Sequence, residues 1–377
     1  MKKEAKRMKR LLLLLFVATI AASCFAGCGG GKGGQATGYE IALITDKGNI
    51  DDKSFNQGAW EGISTYAKEN NITHQYYKPE EASDEGYLAS IQLAIDGGAK
   101  VVVCPGYLFE TVVYTAQRQF PEVKFILLDG EPHSPDNVYK TEKNVACVMY
   151  AEEEAGFLAG YAATKEGVTV LGFEGGMAVP SVVAFGYGYL QGIETAATEM
   201  GLEDGSIKVF YHYTGDFAET DTNKATAKAM IQSGAQVIFG CGGAVGKSVM
   251  AAAAEGNIKT IGVDINQKED SKTVLTSTMK SLDRSVKEIL TAIYEDKFDA
   301  YGGKTTYFTT ANNGVGLPDD YERFSKFTKA DYDAIYAKLA EGTIDPKRTF
   351  EIEKPASVTA EQLQTELGLK KVVVEKR

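Results

Sequence analysis

Histidine is nearly missing from these 377 residues; the three present are His74, His133 and His212. None stands in a nucleophile triad or at metal-ligand spacing, so zinc chemistry and triad hydrolysis lose their usual side chain. His74 reads as strand-borne and His133 as loop-borne, both structural or exposed, while His212 lies close to a candidate site loop. Cysteine is scarce as well. Of five, Cys24 and Cys28 fall near the N-terminus, and Cys104, Cys147 and Cys241 sit singly in VVVCPG, NVACVMY and VIFGCGG. No paired spacing exists for a zinc site or a disulfide framework, and small buried core residues are the plainer reading. No metal and no cofactor are expected.

Long apolar runs are confined to LLLLLFVATI, which follows the basic segment MKKEAKRMKR and is too short to span a bilayer as a stable helix. Small residues then precede a cysteine twice, in AASC and FAGC, the pattern of a bacterial lipobox. Residues 1–27 are therefore expected to be a lipoprotein signal peptide, with Cys28 the lipidated residue and Cys24 the alternative. A plain secretory peptide cut nearby is the remaining possibility. Residues 28–38, rich in glycine, read as a flexible tether. Lipid chains anchor a protein without any spanning helix.

Positive charge is also in short supply. The whole chain carries a net charge of −11, and removing residues 1–27 takes six basic side chains and one acidic one, leaving 34 against 50, or −16. Such a field repels nucleic acid and anionic lipid surfaces. Nine prolines against 40 glycines indicate tight turns in a folded chain, and the length gives two domains as the starting expectation.

What is present is alternation. Apolar runs (GYEIALIT, ITHQYYK, AKVVVCPG, VKFILLDG) alternate with amphipathic segments at Phe55–Asn70, Tyr87–Ile95 and Thr111–Gln119. Continuous apolar runs between such helices predict parallel strands buried on both faces. NVACVMYAEEEAGFLAGYAA reads as a crossing into a second series: VTVLGFEGG, a helix near Val182–Ala197, IKVFYHYTGDF, a helix over Thr222–Gln232, AQVIFGCGG, Lys247–Ala254 and IKTIGVD. The halves share a Gly-Ala turn feeding an apolar strand (GGAKVVVC, SGAQVIFG), as a duplicated α/β lobe would. From Asp331 onward the chain is charged and helical in rhythm.

The organising stretch is IALITDKGNIDDKSFNQGAWEG, residues 41–62: a strand, a polar loop and a helix start. In open α/β sheets, loops at the carboxyl ends of strands bind ligands. Asp46, Asp129, Gly242 and Asp264 all end predicted strands; Lys280 closes another, and Phe55 and Phe217 lie beside such loops. Two aromatics on opposite walls can sandwich a flat ring, worth roughly 1–3 kcal/mol per stacked base, and carboxylates accept from paired ribose hydroxyls. Taken singly, each has a blander reading: Phe55 or Phe217 as core, Asp46 or Asp52 as a helix cap, Asp264 as a turn former. The rival motif GCGGAVGKS (240–248) has Gly246, Lys247 and Ser248 of a phosphate loop, but Cys241 stands where that loop needs its first glycine. It reads better as a glycine turn approached by a smaller ligand.

ITDKGNIDDKSFNQGAWEG, GFEGGMAVPSVVAFGYGYLQG, IKTIGVDINQ and VLTSTMKSLD together resemble the basic membrane protein family, nucleoside-binding lipoproteins of ABC importers, from about Tyr39 to Leu317. The resemblance implies an α/β fold of the type I periplasmic binding protein kind: two Rossmann-like lobes with parallel sheets, joined by three hinge crossovers. By that analogy residues 39–148 with about 267–303 form the N-terminal lobe, and 149–266 with about 304–350 the C-terminal lobe. Residues 351–377 are left as a tail of unassigned role. It further implies a purine nucleoside held between Phe55 and Phe217, with Asp46, Asn56 and Asp129 toward the base and Asp264, Lys280 and the turn at Gly242 toward the ribose. The expected partners are a nucleoside, an ABC permease with its ATPase, and the membrane through the anchor. The chain would act as a monomer, bind no nucleic acid and do no chemistry on its ligand. A sugar or small signalling molecule in the same fold, or a surface lipoprotein of sensing or adhesion, are the alternatives. A nucleoside hydrolase is disfavoured by the lack of a metal-binding aspartate cluster.

Overall fold

The computed structural model describes residues 38–352 and 354–377; the expected signal peptide, Cys24, Cys28 and nearly all of the tether lie outside the described residues. The first series runs β1 (Ile41–Ile44), α1 (Phe55–Glu69), β2 (His74–Tyr77), α2 (Asp84–Asp96), β3 (Val101–Pro105), α3 (Glu110–Gln119), β4 (Lys124–Leu128) and β5 (Val145–Tyr150). The second runs α4 (Glu152–Lys165), β6 (Val170–Gly175), α5 (Pro180–Glu199), β7 (Ile207–Tyr213), α6 (Asp221–Gln232), β8 (Val237–Cys241), α7 (Val245–Gly256), β9 (Lys259–Asp264) and β10 (Val274–Lys280). Then come α8 (Leu282–Tyr294), β11 (Lys304–Phe308), β12 (Val315–Gly316), α9 (Lys329–Ala340), α10 (Ala360–Glu366) and β13 (Val372–Lys376).

Two sheets result, one ordered β2-β1-β3-β4-β5-β11 and the other β13-β7-β6-β8-β9-β10-β12. Among the described residues every pairing of these strands is parallel except β10 with the short β12. The continuous apolar strands are explained by their two faces. Ile41 and Leu43 of β1 enter the core shared with α1, whereas Ala42 and Ile44 enter a separate core beneath α2 and α3. With both faces covered, no position on the strand is free to be polar. The helices α4 and α5 pack at backbone distance: a Cβ added at Gly188 would lie 1.9 Å from the Glu153 carbonyl oxygen. The glycines and alanines of the segment after the first crossing permit this close packing.

The strand orders repeat. β2-β1-β3-β4-β5 in one sheet matches β7-β6-β8-β9-β10 in the other, with β11 and β12 in equivalent edge places. This supports the duplication and corrects the lobe boundaries drawn from the sequence. Val274–Lys280 does not return to the first lobe; as β10 it pairs with β9 and is the counterpart of β5. The second crossing therefore falls at Ser281, after which α8 packs on α1. Lys304–Phe308 in turn belongs to the first sheet, paired with β5. The third crossing follows, between β11 and β12. A third difference concerns the tail: it ends in a strand, β13, added to the edge of β7. Its apolar run VVV is too short to separate from helical rhythm by pattern alone.

Candidate functional site

All eight residues singled out from the sequence line one cavity: Asp46, Phe55, Asn56, Asp129, Phe217, Gly242, Asp264 and Lys280. It holds about 620 Å³ of space between the lobes, counting its opening to solvent. It lies where the carboxyl ends of both sheets supply residues, so each lobe provides one wall.

The first wall is organised by its own short-range hydrogen bonds. Asn56 Nδ2 donates to Asp46 Oδ1 and Asp52 Oδ2, both at 2.8 Å, while Asn56 Oδ1 accepts from the Asp46 backbone N–H at 3.2 Å. Asp52, 2% exposed, accepts from the backbone N–H groups of Ser54, Asn56 and Gln57. It thus caps α1 from two residues before the N-cap Ser54, whose own side chain makes no cap bond. Burial pushes the Asp46 carboxyl up to about 6 against the pull of Asn56 and the Gly48 N–H.

The second wall is assembled from distant parts. Phe217 lies in the loop after β7, and its carbonyl accepts from Ala244 N–H at 2.9 Å. Its ring covers the glycine turn: Gly242 has φ 118°, and a Cβ there would sit 3.1 Å from the ring edge. Asp216 Oδ1 fixes the loop by accepting from Ala218 N–H and Asn223 Nδ2. The near-match to a phosphate loop is thereby resolved. Its amide at Ala244 serves Phe217, its Lys247 reaches Asp51 O at 2.9 Å, and Ser248 Oγ bonds the Thr220 backbone.

Between the walls sits Lys280, 5% exposed. Its Nζ lies 2.5 Å from Asp129 Oδ2, 2.9 Å from Glu152 Oε1 and 3.8 Å from Asp264 Oδ1, and 4.7 Å from the centre of the Phe55 ring. Burial disfavours the ammonium, but three carboxylates outweigh it and hold the pKa above the ordinary lysine value. Asp129 is pushed up to about 7 and Asp264 is raised, burial being the chief cause in both. Asp129 and Asp264 occupy equivalent strand ends in the two lobes, and both are left-handed, with φ of 55° and 66°. For non-glycine residues that conformation is strained, a feature that clusters at functional sites. Asp264 accepts from Ser54 Oγ across the walls, whereas Asp129 Oδ1 has no partner among the described residues.

Sequence reasoning missed part of the lining. Val179, Ser181, Val182 and Phe185 come from the start of α5, and Gly106, Tyr107 and Leu108 follow β3. The latter group ends a strand as clearly as Asp46 does, so the same rule finds it. Cys241 lines the cavity too, as a buried thiol. His212 does not: its Nδ1 contacts the Arg377 carbonyl oxygen. His74 packs against Trp60 with the two rings tilted by 41°, and His133 Nε2 lies 3.3 Å from Glu110 Oε2. The described residues contain no cluster of three or more metal-ligating side chains, and none of their helices is long and apolar enough to cross a membrane.

Two parallel-sheet lobes, crossed three times by the chain and sharing a cavity at their strand ends, define a two-lobed solute-binding protein. Solved structures agree: a solute-binding protein of an ABC transporter system from Aeropyrum pernix superposes with a TM-score of 0.74 at 22% identity, over 87% of this chain and 98% of that one. The chain belongs to the PnrA-like family of ABC transporter substrate-binding proteins, whose model matches residues 40–345. Relatives include the ABC transporter nucleoside-binding protein BmpA of Lactococcus lactis, 31% identical over 82% of this chain and 91% of BmpA. Basic membrane protein A1 of Borrelia garinii is also 31% identical, over 82% and 87%.

Proposed function

We propose that the chain captures a nucleoside, purine by preference, in the cavity between its lobes and delivers it to an ABC permease driven by its ATPase. The carrying observation is the meeting of Phe55, Phe217 and the Asp129–Lys280–Asp264 cluster in one cavity. That set offers two apolar faces to a flat ring and a charged, donor–acceptor end to a diol. The relative BmpA, named as nucleoside-binding, supports the same reading. The protein changes no bond in its ligand; closure about the three crossings holds it, with contacts from both lobes favouring the closed form. Lipidation at Cys28, with Cys24 as the alternative, would keep this monomeric receptor at the extracytoplasmic face of the membrane.

A thermal-shift series with purine nucleosides, free bases and pentoses tests the reading. A ligand at 100 times its Kd adds about 2.7 kcal/mol of stability, so nucleosides are expected to raise Tm where bases and pentoses do not. Asp264→Ala is expected to reduce that shift. A Tm raised by pentoses alone would move the assignment to a sugar receptor, and no shift with any nucleoside would remove it.

A further inference from the structure

Arg348 lies three residues beyond the segment matched by the family model, in the strap leading to the tail. It is not at the cavity, yet it reaches the cavity's cation through one intermediary. Its Nη1 lies 2.6 Å from Glu152 Oε2, 2.6 Å from Glu153 Oε2 and 2.7 Å from the Tyr150 carbonyl oxygen. Tyr150 ends β5 in the first sheet, and Glu152 and Glu153 begin α4 in the second lobe. One guanidinium therefore brackets the first crossing from both sides. Glu152, 1% exposed, turns its other oxygen to Lys280 at 2.9 Å.

The strap is itself anchored. Gln191 on α5 exchanges two 2.8 Å hydrogen bonds with the Lys347 backbone, and Phe350 stacks on Tyr187 at 4.9 Å. A long, flexible arginine on a free loop would hold nothing in place; this one starts from a fixed backbone.

We propose that Arg348 is a positioning residue for the ligand cavity: by fixing the Glu152 carboxylate at the first crossing, it sets where Lys280 stands between Asp129 and Asp264. The electrostatics agree with the geometry. Burial alone would raise the Glu152 carboxyl, but Arg348 and Lys280 together hold it below the ordinary range. The charged groups facing Glu152 are Arg348 from the strap, Lys280 from β10 and Glu153 beside it, with Asp129 and Asp264 beyond Lys280. The Tyr150 and Cys241 protons are held on by burial, so both stay neutral. Without Arg348, one lysine is left to offset Glu152 together with Asp129 and Asp264. Glu152 then takes up a proton as pH falls, and Lys280 loses one of its two close partners.

The proposal rests on the nucleoside reading for its first readout and is independent of it for the second. Calorimetric titration of inosine into the wild type, Arg348→Gln and Arg348→Lys at pH 8 and pH 5.5 gives the first. The Gln variant is expected to bind at least tenfold more weakly than wild type at pH 5.5, the effect of about one pKa unit of lost charge interaction. The deficit should be smaller at pH 8, where Glu152 stays ionised, and the Lys variant should recover much of the affinity. The ¹⁵N resonance of the Lys280 ammonium in the ligand-free protein gives the second; it is expected to shift in Arg348→Gln and to titrate at acid pH. A variant that melts earlier but binds inosine as wild type does at both pH values would overturn the proposal. If the wild type binds no inosine, the functional reading fails, and an unchanged Lys280 resonance would overturn the positioning role as well.

Discussion

The two walls of the cavity are built in opposite ways. The first is held by Asp46, Asp52 and Asn56, three residues within eleven positions, bonded to one another and to the start of α1. The second places Phe217 by contacts with Gly176 and Gly242, by Asp216 bonded to Asn223, and by a strand, β7, whose outer neighbour is the last strand of the chain. A wall of local bonds forms when its own segment forms. A wall of distant parts forms only when the whole lobe does.

The strongest test removes a distant part. Deleting residues 351–377 withdraws Val358, Leu363, Leu369, Val372 and Val374 from the core. At roughly 1.5–3 kcal/mol for each buried aliphatic side chain, the loss is about 7.5–15 kcal/mol, comparable to the 5–15 kcal/mol that usually holds a domain folded. The expected outcome is little folded protein, measured by circular dichroism and soluble yield. A truncated chain that keeps its melting temperature would show that the second wall is as self-sufficient as the first.

Next come the rings. Phe217→Ala and Phe55→Ala are each expected to weaken purine nucleoside binding about 10- to 100-fold, as loss of one stacking face does. They should differ without ligand. The first loop keeps its Asp52–Asn56 bonds when Phe55 is trimmed, whereas Phe217→Ala leaves a hollow against Gly242. Proteolysis of the ligand-free proteins should therefore quicken at the 214–220 loop only in the second variant.

Protonation separates the walls further. Asp46 in the first is pushed up to about 6 by burial, and Glu174, beside Asp216 in the second, to about 8 by burial and that neighbouring charge. A raised carboxyl pKa adds stability that is fully present below the unfolded value and is lost as pH rises through the folded one. Asp46→Asn should thus gain stability relative to wild type mainly between pH 4 and 6. Glu174→Gln should go on gaining up to about pH 8, each by on the order of 1–3 kcal/mol. Urea unfolding across that pH range measures both. A Glu174→Gln gain complete by pH 5 would refute the assignment.

The smallest effect concerns the contacts that join the walls. Lys247 reaches Asp51 O at 2.9 Å and Gln267 Nε2 reaches Lys53 O at 2.5 Å. Lys247→Ala should speed ligand release a few-fold with little change in association, since contact losses act mainly on dissociation. Stopped-flow fluorescence would show it, and a slowed association instead would mean that Lys247 acts before closure.

The same contrast explains what was legible in the sequence. Asp46 and Phe55 could be read because their arrangement is local: a strand end, a polar turn and a helix start within fifteen residues; Asn56 came only with the family resemblance. Asp129 and Asp264 could be read as strand ends. Asp51, Asp52 and Lys53 carried no role beyond shaping and capping the turn, which Asp52 does; the partners of the other two, Lys247 and Gln267, are about 200 residues away. Glu152 is one of three consecutive acidic residues opening α4, and only the meeting of Lys280 and Arg348 sets it apart from the other two. The lobe boundary failed for a related reason. Val274–Lys280 reads as a strand in either lobe, and only pairing with β9 decides which.

One consequence of β13 reaches past the cavity. Without it, β7 would be an outer strand carrying IKVFYHY, an apolar, aromatic, seven-residue edge of the kind on which another chain can nucleate. β13 covers that edge with a strand of five residues, preceded by Lys370 and Lys371, ending in Glu375 and Lys376 and followed by Arg377. A short strand hemmed by charge is a poor template for further growth. Chains clipped near residue 370 should therefore aggregate more readily than the intact chain, because the edge of β7 is then uncovered.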